Sequence, residues 1–353
     1  MKPIYVYPGT FSPPTFGHLS VVRQAASLFP ELIILCSNNP DKNDVWFDPI
    51  VCKELWHSYP LPSNVTVMTP AEFKAHSFNL GAIVLIRGLR KPSDFEQEKA
   101  VLQLNKEKFG IKKYFYLFGP NKYRFVSSSR VRQDALNLNL RSLSRQVSPL
   151  VISALLEKVL EAKNVFLVVG RPGGGKSTLL RLLGESNPNN YWLNTDDFNR
   201  QLKPLLAAHF GESDLINVAL HHEAEMKKVI AEPWLKLLST SLRQAPRAAN
   251  IFIEIAYGLQ ADKSMFRFIG GKIIYVGCED EAKNQERIEK RGTPQLASFI
   301  QKIPDRDATQ LIADKYQLSV SYVNTDCSLT SLKEKASEIN HLILGGQKNV
   351  YAL

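Results

Sequence analysis

Two strings in this chain have the residue types and spacing to hold phosphate. The first is Pro8-Gly9-Thr10-Phe11-Ser12-Pro13-Pro14-Thr15-Phe16-Gly17-His18, set between an apolar run and an amphipathic one. Gly9 and Gly17 permit close backbone approach, and the unpaired N–H groups of the helix start that follows would face an anion. His18, in that first turn, can donate to a phosphate oxygen. The second string, Gly170-Arg171-Pro172-Gly173-Gly174-Gly175-Lys176-Ser177-Thr178, satisfies GxxxxGK[ST] between the strand-like run Val165–Val169 and a leucine-rich helix. There the glycines make a nest of N–H groups for a β-phosphate. Lys176 reaches the β/γ oxygens, and Ser177, beside Thr178, can ligate Mg²⁺. Both strings point to nucleotide chemistry, in which a protein supplies alignment and charge.

Other residues extend the second string. A strand-like run ends at Asn194-Thr195-Asp196-Asp197-Phe198-Asn199-Arg200. A carboxylate there can take a proton from an acceptor hydroxyl or orient Mg²⁺, with Asp196 preferred and Asp197 second. Arg287 and Arg291 stand at i and i+4, so they share one helix face and read as a lid that brings positive charge to ATP. Glu254 reads as a second acid or as a structural residue. His57, His76, His209, His221, His222 and His341 lack metal-ligand spacing and read as structural or exposed, with His221 and His222 pointing apart on a helix.

These residues need a scaffold that ends strands in glycine turns. Short β-branched runs alternate with amphipathic stretches throughout, the pattern of parallel βαβ units. Strands are predicted at Ile4–Tyr7, Leu32–Leu35, Val65–Met68, Ile83–Ile86 and Tyr114–Leu117, with helices including Leu19–Phe29, Glu96–Phe109, Arg130–Leu136 and Pro149–Leu160. A second series runs through Val165–Val169, Tyr191–Leu193, Ile251–Ile255, Lys272–Val276 and Leu318–Val323. The fold class is therefore α/β, with two doubly wound parallel-sheet domains, at 1–161 and 162–353. A length of 353 residues suits two such units.

Composition narrows the functions further. The net charge is +10, with an excess of +7 in 1–161 and +3 in 162–353. No block of five or more like charges occurs, which argues against a nucleic-acid arm and leaves small phosphate-bearing partners as the explanation. The apolar runs are strand-sized, shorter than the roughly 20 residues of a membrane helix. The opening MKPIYVYPG reads as a strand entering a turn, without a leader, and the four cysteines are scattered. Both features predict a cytoplasmic protein.

The first half resembles a known family. The T/HxGH string is the signature of the nucleotidyltransferase superfamily. YPGTF with TFGH, Ile86-Arg87-Gly88-Leu89-Arg90 with Asp94-Phe95-Glu96 and Glu98, and Phe125-Val126-Ser127-Ser128-Ser129 resemble phosphopantetheine adenylyltransferases in order. The likeness covers about residues 1–160. It implies that Thr10, Lys42, Arg87, Leu104 and Asn105 bind phosphopantetheine. It also implies that Thr10, Phe11, His18, Gly88, Leu89, Arg90, Glu98, Ser127, Ser128 and Ser129 bind ATP. His18, Lys42 and Arg90 would be the catalytic charges, and the likeness implies a homo-oligomer through this domain. Ser12 and Gly119-Pro120-Asn121-Lys122 depart from the pattern, and Ser-Pro-Pro-Thr is closer to nicotinate-mononucleotide adenylyltransferases.

The second half resembles dephospho-coenzyme A kinases in NTDDFNR, Glu232-Pro233 and RIEKR. It also looks like polynucleotide 5′-kinases and zeta-toxin-like kinases. The first likeness implies a bifunctional coenzyme A synthase acting on ATP, 4′-phosphopantetheine and dephospho-coenzyme A. ATP sites then fall at Gly173, Gly174, Gly175, Lys176, Ser177, Thr178, Arg287 and Arg291. Lys176 and Asp196 would be catalytic, with Mg²⁺ held through ATP by Ser177 and Asp196. Two alternatives stand beside it: the same adenylyltransferase with a kinase for another acceptor, and a non-enzymatic nucleotide sensor or nucleic-acid binder.

Overall fold

The computed structural model describes residues 2–38, 44–89, 94–255, 269, 272–290, 300, 305–315 and 318–344. The chain divides into two compact units, Met1–Asn137 with Ser142–Val151, and Leu138–Arg141 with Ile152–Leu353. Among the described residues no helix is long and apolar enough to cross a membrane.

The first unit contains β1 (Ile4–Gly9), α1 (Phe16–Leu28), β2 (Leu32–Cys36), α2 (Pro49–Trp56), β3 (Val65–Met68), α3 (Pro70–Ala75), β4 (Ile83–Leu89), α4 (Asp94–Phe109), β5 (Lys113–Phe118) and α5 (Ser128–Leu136). Helices α6 (Leu140–Gln146) and α7 (Pro149–Val159) follow. The sheet order is β3-β2-β1-β4-β5, with every pair parallel. The chain winds outward from β1 to β3, then crosses back to β4. That reversal opens a crevice at the carboxyl ends of β1 and β4, the usual ligand position of such sheets. Below it Val6, Ile33, Met68, Ile83, Leu85 and Ile111 form a buried cluster, because alternate residues of adjacent strands share a face.

The second unit contains β6 (Asn164–Val169), α8 (Lys176–Ser186), β7 (Asn190–Asn194), α9 (Asp196–Phe210), α10 (Leu215–Arg243) and β8 (Asn250–Glu254). It continues with β9 (Lys272–Gly277), α11 (Glu281–Glu289), α12 (Arg306–Lys315), β10 (Val320–Asn324) and α13 (Leu329–Leu344). Its parallel order is β10-β9-β6-β8-β7, so the reversal falls between β6 and β9. One face is covered by Leu179, Leu180, Leu182 and Leu183 of α8 and by Leu332, Ala336 and Ile339 of α13. These meet Phe166, Val168, Phe252, Ile274, Val276 and Val323. Each such leucine contributes about 1.5–3 kcal/mol by burial. The expected helix through His221 and His222 is interrupted: His222 has φ −132 and ψ 33, so α10 changes direction there.

The amino ends of the second sheet's strands are joined by amides. Asn164 Nδ2 donates to Asn250 Oδ1 at 2.9 Å, and Asn250 Nδ2 donates to Asn190 Oδ1 at 3.0 Å. Asn190 Nδ2 continues to Asn340 Oδ1 at 2.7 Å, and Lys272 donates to Asn164 Oδ1. Fully buried Asn250 is the centre of this ladder. Asn250→Ala should therefore destabilise the unit by about 2–3 kcal/mol, because two neighbouring amides lose their partner. A lower urea midpoint at unchanged slope would register it.

Candidate functional site

The segment between β1 and α1 leaves the carboxyl end of β1, where the strand order reverses. Thr15 is the N-cap of α1, and its hydroxyl accepts from the His18 N–H at 3.3 Å. His18 answers: its Nδ1 accepts from the Thr15 N–H at 3.1 Å, with the Thr15 hydroxyl at 3.2 Å. This reciprocal capping box starts α1 at Phe16, ahead of the expected Leu19. It also selects a tautomer. A neutral imidazole accepting at Nδ1 carries its proton on Nε2, so that edge is a donor. The capping bonds use one edge of the ring and leave the opposite edge as a donor.

Phe11 holds the ring from beside it, edge-on to His18 at 5.1 Å and to Trp56 at 5.2 Å between centroids. Its φ of +44 is in the left-handed region, costing about 1–2 kcal/mol that the packing must offset. A Cβ on Gly9 would come within 2.6 Å of the Phe11 ring. Gly9 therefore makes room for the phenyl ring. Half-buried Thr10 receives a bond from Cys52 Sγ to its carbonyl at 3.4 Å. Burial pushes that thiol up to about 12, which keeps it a protonated donor.

The serines at the start of α5 divide their work. Ser127 is the N-cap and accepts from the Arg130 N–H at 3.2 Å, while Ser128 Oγ donates to the Pro13 carbonyl at 2.9 Å. Ser129 Oγ stands 3.5 Å from an Arg132 nitrogen. Arg87 and Glu98, expected on acceptor and ATP respectively, form a two-pronged ion pair with both contacts at 2.7 Å. Burial alone would lower the Arg87 guanidinium, but the bonded Glu98 carboxylate raises it above its ordinary value. Gly88 faces Val21 of α1, and buried Leu89 accepts at its carbonyl from Gly119 N–H at 3.2 Å. Asn105 lies half-buried on α4. Lys42, Arg90 and the Leu104 side chain lie outside the described residues.

In the second unit the glycine loop follows β6 directly at the sheet's reversal. Gly170 has φ +145, and a Cβ there would meet the Val276 carbonyl oxygen at 2.0 Å, so only glycine fits. Gly175 is the left-handed N-cap of α8, with Gly173 and Gly174 buried before it. Lys176 Nζ donates to the carbonyls of Gly170 and Arg171 at 2.9 and 3.2 Å. Ser177 and Thr178 are half-buried in the first turn of α8. Arg287 on α11 donates to the Gly173 carbonyl and Thr325 Oγ1, each at 3.2 Å, which ties the loop to the end of β10. Arg291 lies outside the described residues.

Glu254, at the end of β8, gathers this site. It is 3% exposed, and its carboxylate accepts from Ser177 Oγ at 2.9 Å and from Trp192 Nε1 at 3.0 Å. Burial raises its pKa above the ordinary 4.5, opposed by the Lys176 charge and the Ser177 bond and reinforced by the Asp196 charge. Asp196 is exposed in the first turn of α9, and Asp197 pairs with Arg200. Among the described residues, no three His, Cys, Asp or Glu side chains gather to hold a metal.

Sequence reasoning missed Tyr59, Asp44, Arg132 and Trp192 and left Glu254 undecided. Arg132 carried one usable signal: it stands with Val131 and Ala135 on the buried face of α5.

Residues 6–134 match the family described as cytidylyltransferase-like, which fits a parallel sheet with its loop site at the β1–β4 crevice. The resemblance to individual families is closer still. The chain is 31% identical over 159 residues to a phosphopantetheine adenylyltransferase of Mannheimia succiniciproducens, covering 45% of this chain and 99% of the relative. It is 34% identical over 167 residues to that of Leptospira biflexa, covering 45% and 98%. Through its first unit, the chain belongs to the phosphopantetheine adenylyltransferase family. A crystal structure of NadR protein in complex with NR aligns over 96% of this chain and 95% of its own, at 12% identity and TM-score 0.32. That likeness is too weak to bear on activity.

Proposed function

We propose that this chain is a bifunctional enzyme of coenzyme A biosynthesis, with an adenylyltransferase at 1–161 and a kinase at 162–353. Family membership of the first unit carries the adenylyltransferase part, and the glycine loop that leads into α8 supports the kinase part. In the first step a phosphate oxygen of 4′-phosphopantetheine attacks the α-phosphorus of ATP. The bond to the β-phosphate oxygen breaks, pyrophosphate leaves, and dephospho-coenzyme A remains. A phosphate nucleophile needs no base, so this site has to align and to neutralise. His18 Nε2–H donates to the transferring phosphate, Thr10 and Lys42 hold the acceptor, and Arg90 and the α5 N–H groups bind the nucleotide phosphates. Exposed Phe115 and Phe118 on edge strand β5 supply apolar surface for a homo-oligomer.

In the second step the 3′-hydroxyl of dephospho-coenzyme A attacks the γ-phosphorus of ATP, ADP leaves, and the hydroxyl proton passes to Asp196. Lys176 leaves its loop carbonyls to meet the β/γ oxygens, and the loop N–H groups hold the β-phosphate. Mg²⁺ fits the oxygen set of Ser177, Glu254 and Asp196, since hard cations take oxygen ligands. It would neutralise charge on the ATP oxygens. The four free cysteines suit a reducing cytoplasm.

Mass analysis of products from ATP and 4′-phosphopantetheine tests the reading. Coenzyme A is the expected product. A halt at dephospho-coenzyme A redirects the kinase to another acceptor, to be found on a panel with Lys176→Ala as the blank. Failure to release pyrophosphate would remove the adenylyltransferase itself and favour a nucleotide sensor.

A further inference from the structure

Three successive carbonyls of the loop after β1 are held by side chains. Ser12 O accepts from Arg132 Nη1 at 2.6 Å, Pro13 O from Ser128 Oγ at 2.9 Å, and Pro14 O from Tyr59 Oη at 2.8 Å. The arginine does most of the joining. It is only 8% exposed, and its Nε and Nη2 donate to Asp44 Oδ2 at 3.0 and 2.8 Å, with Ser129 Oγ 3.5 Å from Nη2. Asp44 itself is largely exposed and also accepts from Trp46 Nε1 at 2.9 Å. Ser12 Oγ accepts from the Trp46 and Phe47 N–H groups, both at 2.9 Å, so the same two segments meet twice.

We infer that Arg132 is a positioning residue of the adenylyltransferase site: its guanidinium locks the Thr10–Thr15 loop to Asp44 and to the serine run of α5. This rests on the adenylyltransferase reading above. A planar fork with donors on three nitrogens can serve the Ser12 carbonyl and the Asp44 carboxylate together, which a lysine ammonium on a flexible stem does poorly. The loop needs such a lock because it contains Phe11 in its left-handed conformation and must present Thr10 and His18 in register. Displacement by about 1 Å costs on the order of 10²-fold in rate.

The test uses the full chain with Arg132→Lys, Arg132→Gly and Asp44→Asn. In Arg132→Lys, kcat for pyrophosphate release should fall about 10- to 100-fold with little change in either KM. Added guanidinium should restore part of the rate in Arg132→Gly. Amide exchange over residues 10–16 should quicken in Arg132→Lys while the second unit's exchange is unchanged. Asp44→Asn should lower kcat in the same direction. A tighter KM for ATP or a faster rate in Asp44→Asn would overturn the inference, since Asp44 would then be masking a guanidinium that binds phosphate directly. Unchanged exchange in Arg132→Lys would overturn it too. If wild type proves inactive while the exchange result holds, the function reading fails and the loop lock survives.

Discussion

Replacing His18 with alanine should lower adenylyl transfer about 10²–10³-fold, the usual loss when one donor to developing charge is removed. The capping box adds a second consequence. His18 Nδ1 accepts from the Thr15 N–H, so the variant also leaves a helix-start donor without its partner. That costs about 1 kcal/mol. His18→Asn separates the two losses. An amide oxygen can still accept from the cap, but the shorter side chain does not extend a donor to where Nε2 stood. Stability should recover while the rate stays low. Thr15→Ala should show the reverse balance, with weakened capping and a smaller rate loss. Steady-state pyrophosphate release and thermal unfolding measure both. The kinase reaction proposed for the second unit should continue in every variant, because all these contacts lie in the first unit.

Under the kinase function proposed for the second unit, Glu254→Gln should lower phosphoryl transfer about 10²–10³-fold, within the range for a lost acid–base or charge-orienting group. The carboxylate is the meeting point of Ser177, Trp192 and the charges of Lys176 and Asp196. Glutamine removes the negative charge that opposes Lys176 and turns an amide donor toward one of two donors. The pH dependence has a definite sign. Burial raises the folded-state pKa of Glu254 above 4.5, so the folded chain binds more protons than the unfolded chain just above that pH. This contribution to stability is present below pH 4.5 and is lost as pH rises through the folded value. Wild type should therefore lose stability relative to Glu254→Gln over that interval. Unfolding midpoints of both proteins across a pH series check the sign. A difference independent of pH would mean that the carboxyl is not strained by burial.

Much of the architecture follows from local pattern. The strands at Ile4, Leu32, Val65 and Ile83 begin at the expected residues, because continuous β-branched runs suit strands buried on both faces. The glycine loop before Lys176 was equally legible, since Gly170 sits where any side chain would strike Val276. The start of α1 was not. Phe16 and Gly17 lack a strong helical signal, and only the Thr15–His18 bonds fix the boundary. The break at His222 was likewise hidden within an unbroken helical pattern.

The sequence by itself determined two α/β units and two glycine-containing loops at helix starts, with His18 in the first and Lys176 and Ser177 at the second, because glycine spacing and helix starts are local properties. Tertiary structure alone decided that Arg87 answers to Glu98 and that Glu254 joins Ser177. It also decided that Arg132 reaches back 120 residues to Ser12. Those outcomes depend on strand order and burial. A parallel sheet brings together the carboxyl ends of strands far apart in the chain, and nothing in their local spacing specifies which polar groups will meet there.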